Sequence, residues 1–258
     1  AVITKMNALL RKYDAAGAVV WTSIFPWTAD SGNKAEGIAL SGGAVYVTGK
    51  KGVSPADDDI FLHKYNQADG SLLWAAPDCG ILNEGDSGYG IAVDTNSYIY
   101  VAGRLKALTF CDAWLGRYQD NDASGALDFA STHNNVSNGG DMNFAVTYAG
   151  GYLYTAGYEA RADISQGDNI CVTKVDPVTL SAEWSKTFDA GSSNSERAHS
   201  AIVDNTGNVY AGITSNGFPG LYQFTPPYFG LRARPGTTPA SAEVYWTMST
   251  ELPIGSNY

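Results

Sequence analysis

One strand-like motif containing a tyrosine recurs four times along this 258-residue chain. The copies lie at 45–49, 99–103, 153–157 and 209–212, and their tyrosines are 54, 54 and 56 residues apart. Self-similarity at a fixed period of several tens of residues is typical of repeat architectures. Whatever fold the chain adopts must therefore be built from copies of one supersecondary unit.

Three further strand-like segments accompany each tyrosine strand. A short apolar segment precedes it across a turn of small residues, a third segment ends near a basic residue, and a fourth usually carries a tryptophan. The third segments are 60–65, 113–118, 170–175 and 220–224, the last with Gln223 in place of the base. The fourth segments are 72–74, 126–130, 182–184 and 243–246. No helical period of 3.6 residues is visible, which argues against helical repeats.

Four short antiparallel strands in a repeat of about 50 residues are typical of a β-propeller blade. Each small sheet has an apolar face that only a neighbouring sheet can cover, and a closed ring gives every sheet a neighbour. The sequence therefore predicts one all-β propeller domain of about five four-stranded blades. The complete repeats are 37–75, 90–130, 143–185 and 199–247.

The fifth blade is expected to combine 2–23 with 250–254, so that the C-terminal strand closes the ring by pairing with N-terminal strands. The rival interpretation is an excised part of a larger ring or of a longer protein. Residue 1 falls inside an apparent strand and no signal peptide is recognisable. We therefore expect the sequence to begin at a processing site or to be a piece of something larger.

The overall charge excludes two classes of partner. The net charge is −10 and the pI is about 4.6, whereas nucleic acids and anionic membranes attract clustered Lys and Arg. No apolar run approaches the length of about 20 residues that crosses a bilayer. The sequence therefore predicts no nucleic-acid partner and no membrane insertion.

The runs DIFLHKYN (59–66), DGSLLW (69–74), GDSGYGIAVD (85–94) and IYVAG (99–103) resemble the bacterial and archaeal SBBP-type β-propeller repeat. The resemblance covers most of 2–224, and the remaining C-terminal positions depart from it. It implies a secreted or cell-surface protein with propeller domains and implies no catalytic motif. A weaker similarity to quinoprotein-type propellers comes without any set of residues for a quinone cofactor.

The connections between second and third strands, and between successive blades, are expected to be long and to share one face. They lie at about 24–36, 50–59, 76–88, 104–112, 130–142, 158–168 and 186–198. Long loops on a rigid scaffold usually hold the binding residues. These hold more than half of the 26 acidic residues, so this face is either a solvated acidic surface or attractive to Ca²⁺ or a basic partner.

Two acidic segments are candidates for Ca²⁺, which is the one cofactor this acidity would suit. The densest acidic run, 57–59, lacks the alternating ligand spacing of a Ca²⁺ loop. The segment 120–125 has a more suitable pattern, but it occupies the place of an ordinary turn in the other blades. The histidines, His63, His133 and His199, lie in different blades, and no catalytic residue is indicated.

The candidate binding residues are aromatic and basic. The segment 225–236 interrupts the last repeat, and aromatic and arginine side chains on a proline-stiffened loop are favoured at interfaces. The alternative is a strap that packs over the seam of the ring. A further aromatic residue lies on the 24–36 loop. The predicted binding set is Tyr228, Phe229, Arg232, Arg234 and Trp27.

The three cysteines, Cys79, Cys111 and Cys171, have no metal-site spacing. They are either small buried apolar residues or, for Cys79 and Cys111, a disulfide that would fit an oxidising compartment. Both of these cysteines fall near the long-loop face.

The main functional expectation is a non-catalytic binding or assembly module, extracellular or on the cell surface, that recognises a glycan or a protein and has room for self-assembly. The alternative is a glycan-active hydrolase or lyase with carboxylates on the long-loop face, since glycosidases use paired carboxyl groups as acid and base. Close carboxyl groups would favour the enzyme.

Overall fold

The computed structural model describes residues 7–25, 32–54, 57–81, 84–107, 110–134, 139–161, 167–189, 195–215, 218–224, 231–233 and 246–248. Every regular element in these ranges is a β-strand. The same ranges contain no helix that is long and apolar enough to span a membrane. The chain divides into two compact units, Ala1–His133 and Asn134–Tyr258.

The first unit contains a two-stranded sheet and two four-stranded antiparallel sheets. Its strands are β1 (Ala8–Tyr13), β2 (Val19–Phe25), β3 (Lys34–Ser41), β4 (Ala44–Ser54), β5 (Asp57–Asn66), β6 (Leu72–Ala75), β7 (Ser87–Val93), β8 (Tyr98–Ala107), β9 (Phe110–Asp120) and β10 (Gly125–His133). The strand orders are β1-β2, β3-β4-β5-β6 and β7-β8-β9-β10, so each chain neighbour is also a sheet neighbour.

The second unit repeats this plan. Its strands are β11 (Asp141–Ala149), β12 (Tyr152–Ala160), β13 (Asp168–Val175), β14 (Ala182–Phe188), β15 (Glu196–Val203), β16 (Val209–Ser215), β17 (Phe218–Phe224), β18 (Leu231–Ala233) and β19 (Trp246–Met248). The first four form one sheet in chain order, β15 to β17 form a three-stranded sheet, and β18 pairs with β19. The predicted all-β fold of four-stranded propeller blades is confirmed.

The core of the first unit is made where two successive blades face each other. Tyr46, Ile60 and Trp74 of one blade pack in the same buried cluster as Val101 and Trp114 of the next. A side chain of this size contributes about 1.5–3 kcal/mol when it is fully buried. The tyrosine strands β4 and β8 have neighbours on both edges of the sheet, and every residue of 45–49 and 99–103 is buried, which explains why these segments are apolar.

A tryptophan fixes each contact between neighbouring sheets in the first unit. The Trp21 indole N–H donates to the Gln67 carbonyl oxygen at 3.2 Å, and the Lys12 ammonium donates to the same oxygen at 2.9 Å. The indole ring lies so close to Gly70 that a Cβ on this glycine would stand 2.5 Å from a ring carbon. The glycine in the turn and the tryptophan in the preceding repeat are therefore parts of one contact.

The contact between the β3-β4-β5-β6 sheet and the β7-β8-β9-β10 sheet also joins a tryptophan to the next sheet, but here the acceptor is a carboxylate. The Trp74 indole N–H donates to an Asp120 carboxylate oxygen at 3.1 Å, and the other oxygen accepts the Tyr46 hydroxyl at 2.6 Å and meets Lys64 Nζ at 2.7 Å. A Cβ on Gly125 would stand 2.5 Å from the Trp74 ring. Burial alone would raise the pKa of Asp120, but the donors on Lys64 and Tyr46 hold it below the ordinary value.

A β-bulge interrupts the first strand of every blade at the same place. The register shifts between Ala35 and Gly37, and equivalently in β7, β11 and β15, so that one residue on each strand is left without a partner opposite. Such bulges re-aim one side chain. The extra residues are Glu36, Tyr89, Phe144 and His199.

The bulge also explains the glycine that ends three of the tyrosine motifs. A Cβ on Gly49 would lie 1.9 Å from the Lys34 carbonyl oxygen, and a Cβ on Gly157 would lie 1.8 Å from that of Met142. Gly103 is equally restricted by Ser87. Only glycine allows the bulged strand to approach this closely.

Two of the connections between strands are shorter than the sequence predicts. The connections expected at 50–59 and 104–112 are largely strand, because β4 pairs with β5 and β8 with β9 almost to their ends. The proposed closing segment, 250–254, and the strand expected at 2–4 lie outside the described residues. Ring closure, the fifth blade and the single-domain boundaries therefore stay predictions.

Asp120→Ala tests the tryptophan contact. The substitution leaves Lys64, whose side chain is 9% exposed, with only the exposed Asp122 at 3.9 Å as a counter-charge, so we expect the free energy of unfolding to fall by about 3 kcal/mol. Urea unfolding followed by tryptophan fluorescence measures the change. Asp128→Ala is the control because it removes a partly exposed partner of Arg117, and it should cost no more than about 1 kcal/mol. Equal losses in the two variants would contradict the role of Asp120.

Candidate functional site

The predicted binding residues fall almost entirely outside the described part of the chain. Trp27, Tyr228, Phe229 and Arg234 lie outside the described residues. Arg232 lies in β18, where its backbone is opposite Thr247. This set stays a prediction.

A group of carboxyl side chains gathers at the beginning of β5 in the first unit, and we call it the Asp59 cluster. The sequence places 57–59 on a loop, and this is wrong, because the three residues pair with β4 as the first residues of β5. The connection after β6 returns to the same place, where Cys79 bridges Ile60 and Gly85 bridges Asp58. The members of the cluster are Asp57, Asp58, Asp59, Asp78, Glu84 and Asp86.

Backbone hydrogen bonds hold the returning connection against β5. The Asp58 amide donates to the Glu84 carbonyl oxygen at 2.9 Å, and the Asp86 amide donates to the Asp58 carbonyl oxygen at 2.8 Å. The Ile60 and Cys79 amides donate to each other's carbonyl oxygens at 2.8 and 2.9 Å. Carboxylates that are far apart in sequence are thereby fixed side by side.

Three members of the cluster are neutralised by lysines. Lys50 Nζ lies 2.6 Å from an Asp58 oxygen, and Lys106 Nζ lies 3.1 Å from a Glu84 oxygen. Lys51 pairs with Asp78. These pairs leave Asp57, Asp59 and Asp86 as the members whose charge must be balanced in another way.

Asp86 is completely buried and has a structural role. Its carboxylate accepts the backbone amides of Lys106, at 2.6 Å, and of Ile81. Burial raises the pKa of Asp86, and these two hydrogen bonds oppose the increase. Asp86 therefore holds the connection in place while it adds negative potential to the cluster.

Asp59 differs from the members of the cluster that pair with lysines and from Asp86, which accepts backbone amides. Its Oδ1 and one Asp86 oxygen lie 2.0 Å and 2.8 Å from the position that a Cβ on Gly80 would occupy, so both groups converge on this glycine. Within the described residues Asp59 makes no hydrogen bond and no ion pair, although its side chain is partly accessible. Burial, followed by the charges of Asp57, Asp78 and Asp86, raises the pKa of Asp59 to about 6.

The charge of Asp57 is, after burial, the largest cause of the raised pKa of Asp59. It is 5% exposed, and its Oδ1 has no hydrogen-bond partner. A buried carboxylate oxygen without a donor is costly and keeps its potential undiminished. The arrangement lets Asp59 hold a proton up to about pH 6 beside other carboxyl groups, which suits acid catalysis with two carboxyl groups.

The two Ca²⁺ candidates differ from what a metal site needs. Asp120, in the 120–125 segment, is occupied by Lys64, Tyr46 and Trp74, so this segment is the blade turn. In the described residues no group of three or more His, Cys, Asp or Glu side chains is placed to hold a metal ion. The raised pKa of Asp59 is the observation that makes proton transfer a chemistry this cluster can supply.

Burial determines the protonation of Cys79 and His63 in the first unit. Cys79, Cys111 and Cys171 are free. Burial raises the pKa of Cys79 to about 11, so its thiol stays protonated. His63 is buried with its ring 4.4 Å from that of Phe25, and burial lowers its pKa to about 4, which leaves the imidazole neutral.

Comparison with protein families gives a direct match within the first unit. Residues 80–104 match the SBBP β-propeller repeat. This confirms the resemblance stated from sequence, and the matched segment runs from Gly80 of the cluster connection through β7 into β8. A comparison with curated proteins finds no significant match.

Solved structures with related architecture include three enzymes. An exo-β-1,3-galactanase from Phanerochaete chrysosporium aligns at 9% identity and a TM-score of 0.49, over 84% of this chain and 50% of that chain. A quinohemoprotein alcohol dehydrogenase from Pseudomonas putida aligns at 12% identity and a TM-score of 0.41, over 83% and 54%. A GH43 β-1,3-galactosidase aligns at 11% identity and a TM-score of 0.42, over 83% of this chain and 76% of that chain.

These matches correct the main functional expectation. A non-catalytic binding or assembly module was expected, whereas the similar structures include an exo-β-1,3-galactanase and a β-1,3-galactosidase, which fall in the class named as the alternative. The chain spans about half the length of the first two of these structures. At such low identity the likeness concerns the fold.

Asp59→Asn tests the electrostatics of the cluster. The pKa of Asp59 is about 6 in the folded protein and about 4 in an unfolded chain, so the folded state binds the proton more tightly and loses stability as the pH rises through this window. The variant should therefore raise Tm at about pH 7.5 and have little effect at about pH 4. We expect a gain on the order of 1 kcal/mol, reduced by the partial exposure of Asp59.

The matched control is Asp112→Asn, because Asp112 faces Leu105 in the second blade as Asp59 faces Lys51 in the first. Differential scanning fluorimetry across this pH range should give parallel curves for this control and the wild type. A stability gain for Asp59→Asn that is the same at both ends of the range would contradict the raised pKa.

Proposed function

We propose that this protein hydrolyses glycosidic bonds, with the Asp59 cluster as the catalytic site. The observation that carries the proposal is the environment of Asp59. Its partly accessible carboxyl group has no ion pair among the described residues, and burial together with three neighbouring carboxyl groups raises its pKa to about 6. A carboxylic acid that keeps its proton close to neutral pH is what departure of a sugar oxygen requires.

In the proposed reaction Asp59 donates its proton to the glycosidic oxygen as the bond to the anomeric carbon breaks. A second, ionised carboxylate assists the attack on that carbon. Asp78 is the candidate because it is accessible and because its ion pair with Lys51 holds it in place beside Asp59. Water supplies the hydroxyl group of the new reducing end, and its remaining proton restores the acid.

The buried members of the cluster act indirectly in this proposal. Asp57 and Asp86 are too buried to reach a polysaccharide, but their charges keep the proton on Asp59. Gly80 leaves the space between Asp59 and Asp86 free of a side chain. These are positioning and electrostatic roles, in contrast to the contact roles of Asp59 and Asp78.

The expected partner and location form part of the same proposal. A glycan is the partner that a hydrolytic carboxyl pair would act on, and an extracellular or cell-surface location is where polysaccharides are encountered. The negative potential of the cluster favours neutral sugars over uronates, since a second negative charge would be repelled from Asp59 and its neighbours.

Release of reducing ends from a panel of neutral polysaccharides, which includes β-1,3-galactan, β-1,3-glucan and β-1,4-mannan, tests the proposal. Asp59→Asn should lower the rate by about 10²–10⁴-fold, and Asp112→Asn should leave it unchanged. The wild-type rate should decline as the pH rises through about 6, because only protonated Asp59 is active.

A dinitrophenyl glycoside of the preferred sugar separates acid catalysis from other causes of inactivity. Its leaving group departs without a proton, so Asp59→Asn should lose much less activity on it than on the polysaccharide. Loss that is equal on both substrates would exclude Asp59 as the proton donor. Absence of wild-type hydrolysis across the whole panel would overturn the proposed function.

A further inference from the structure

Two bulge residues of the second unit stack on each other. Phe144 is the extra residue of β11, and His199 is the extra residue of β15 in the following blade. Their ring centroids are 5.0 Å apart and the ring planes are inclined by 32°. Because a bulge turns its side chain away from the ordinary alternation of the strand, neither ring is committed to the core between the sheets.

The stack continues inward onto a rigid base. Phe144 lies 5.8 Å from the ring of Tyr158, which is buried, at an inclination of 35°. The Arg197 guanidinium lies over the same tyrosine ring at 4.5 Å, and its Nε donates to an Asp168 oxygen at 2.8 Å. The ion pair and the buried ring fix the orientation of the two outer rings.

The outer end of the stack is open to solvent. His199 is exposed and Phe144 is half-buried, whereas aromatic rings that serve packing alone are covered. Burial, and then the charge of Arg197, lower the pKa of His199, which favours the neutral imidazole. One ring nitrogen is paired with the Thr214 hydroxyl at 3.1 Å, which limits rotation of the imidazole.

We propose that the stack forms a sugar-binding subsite in which the outer face of the His199 ring packs against the C–H face of one pyranose ring and Phe144 supports His199 from within. Arg197 and Asp168 lie at its edge for hydroxyl groups. The proposal rests on the proposed function in its choice of a glycan as ligand. It concerns the second unit alone, and none of its residues belongs to the Asp59 cluster.

The geometry favours a sugar over a flat aromatic ligand. A pyranose has one apolar C–H face and a rim of hydroxyl groups, so it needs one aromatic surface and nearby polar groups. Aromatic ligands are usually enclosed on both faces in an apolar cleft. Here an exposed stack with a single open end borders an arginine–carboxylate pair. The guanidinium N–H groups can donate to a sugar hydroxyl, and the carboxylate oxygens can accept from a neighbouring one.

The corresponding bulges of the first unit are chemically different. Glu36 pairs with Lys34 at 2.5 Å, and Tyr89 is the extra residue of the next strand. In the first unit one of the two bulge residues, Glu36, forms an ion pair, whereas both bulge residues of the second unit are aromatic rings that stack on each other. The same backbone device therefore presents a charged pair in one unit and an aromatic stack in the other, which restricts the subsite to Phe144 and His199.

Isothermal titration calorimetry with β-1,3-galactan, β-1,3-glucan and β-1,4-mannan oligosaccharides tests the subsite in the Asp59→Asn background, where turnover is suppressed. Phe144→Leu keeps an apolar side chain without a ring, and His199→Ala removes the outer ring. His199→Ala should raise Kd by about tenfold, the scale of one lost stacking contact, and Phe144→Leu should raise it by a smaller factor because it removes only the ring that supports His199. His199→Phe should keep binding close to that of the parent.

Phe129→Ala is the control, since Phe129 is an exposed aromatic residue of β10 outside the subsite, and it should leave Kd unchanged. Circular dichroism melting confirms that each variant is folded. The inference is overturned if no oligosaccharide binds the parent, or if binding survives both Phe144→Leu and His199→Ala unchanged. Binding that depends on these rings without any hydrolysis by the wild type would leave the subsite standing and remove the proposed function.

Discussion

The mutual covering of apolar sheet faces is the constraint on which the rest of the structure depends. In the first unit Trp74 and Tyr46 are buried against Trp114 of the following sheet, and the polar ends of these side chains converge on Asp120. Since a blade cannot hide its own face, the polar contact fixes which neighbour covers it and at what distance. A sheet pair fixed in this way can tolerate unfavourable electrostatics at its edge.

The Asp59 cluster contains such unfavourable electrostatics. Asp57 is buried with an unsatisfied oxygen, and Asp59 has a raised pKa, so both reduce the stability of the first unit near neutral pH. Such strain persists where the surrounding scaffold compensates for it, and it is concentrated at functional sites. A neutral residue at position 59 would remove this cost and stabilise the fold. The raised pKa of Asp59 is therefore easier to explain by the proposed catalytic role than by packing.

Sequence alone predicted the repeat, the four-stranded sheets and the strand that usually carries a tryptophan, because these follow from spacing and alternation. It could not predict the Asp59 cluster. Asp86 lies 27 residues after Asp59 and reads as one of many loop acids until the bridge between Asp58 and Gly85 joins the two segments. The bulges were missed as well, since one extra residue in a strand leaves no compositional signal apart from a glycine on the neighbouring strand.

That glycine shows how fold and function are linked in this repeat. Gly49 and Gly157 are needed because a Cβ would strike the backbone of the bulged strand, so the motif preserves the bulge whatever side chain occupies it. The backbone device is constant, while its extra residue varies from Glu36 to Phe144 and His199. Selection could therefore change what each blade presents to a ligand without disturbing the packing that holds the blades together.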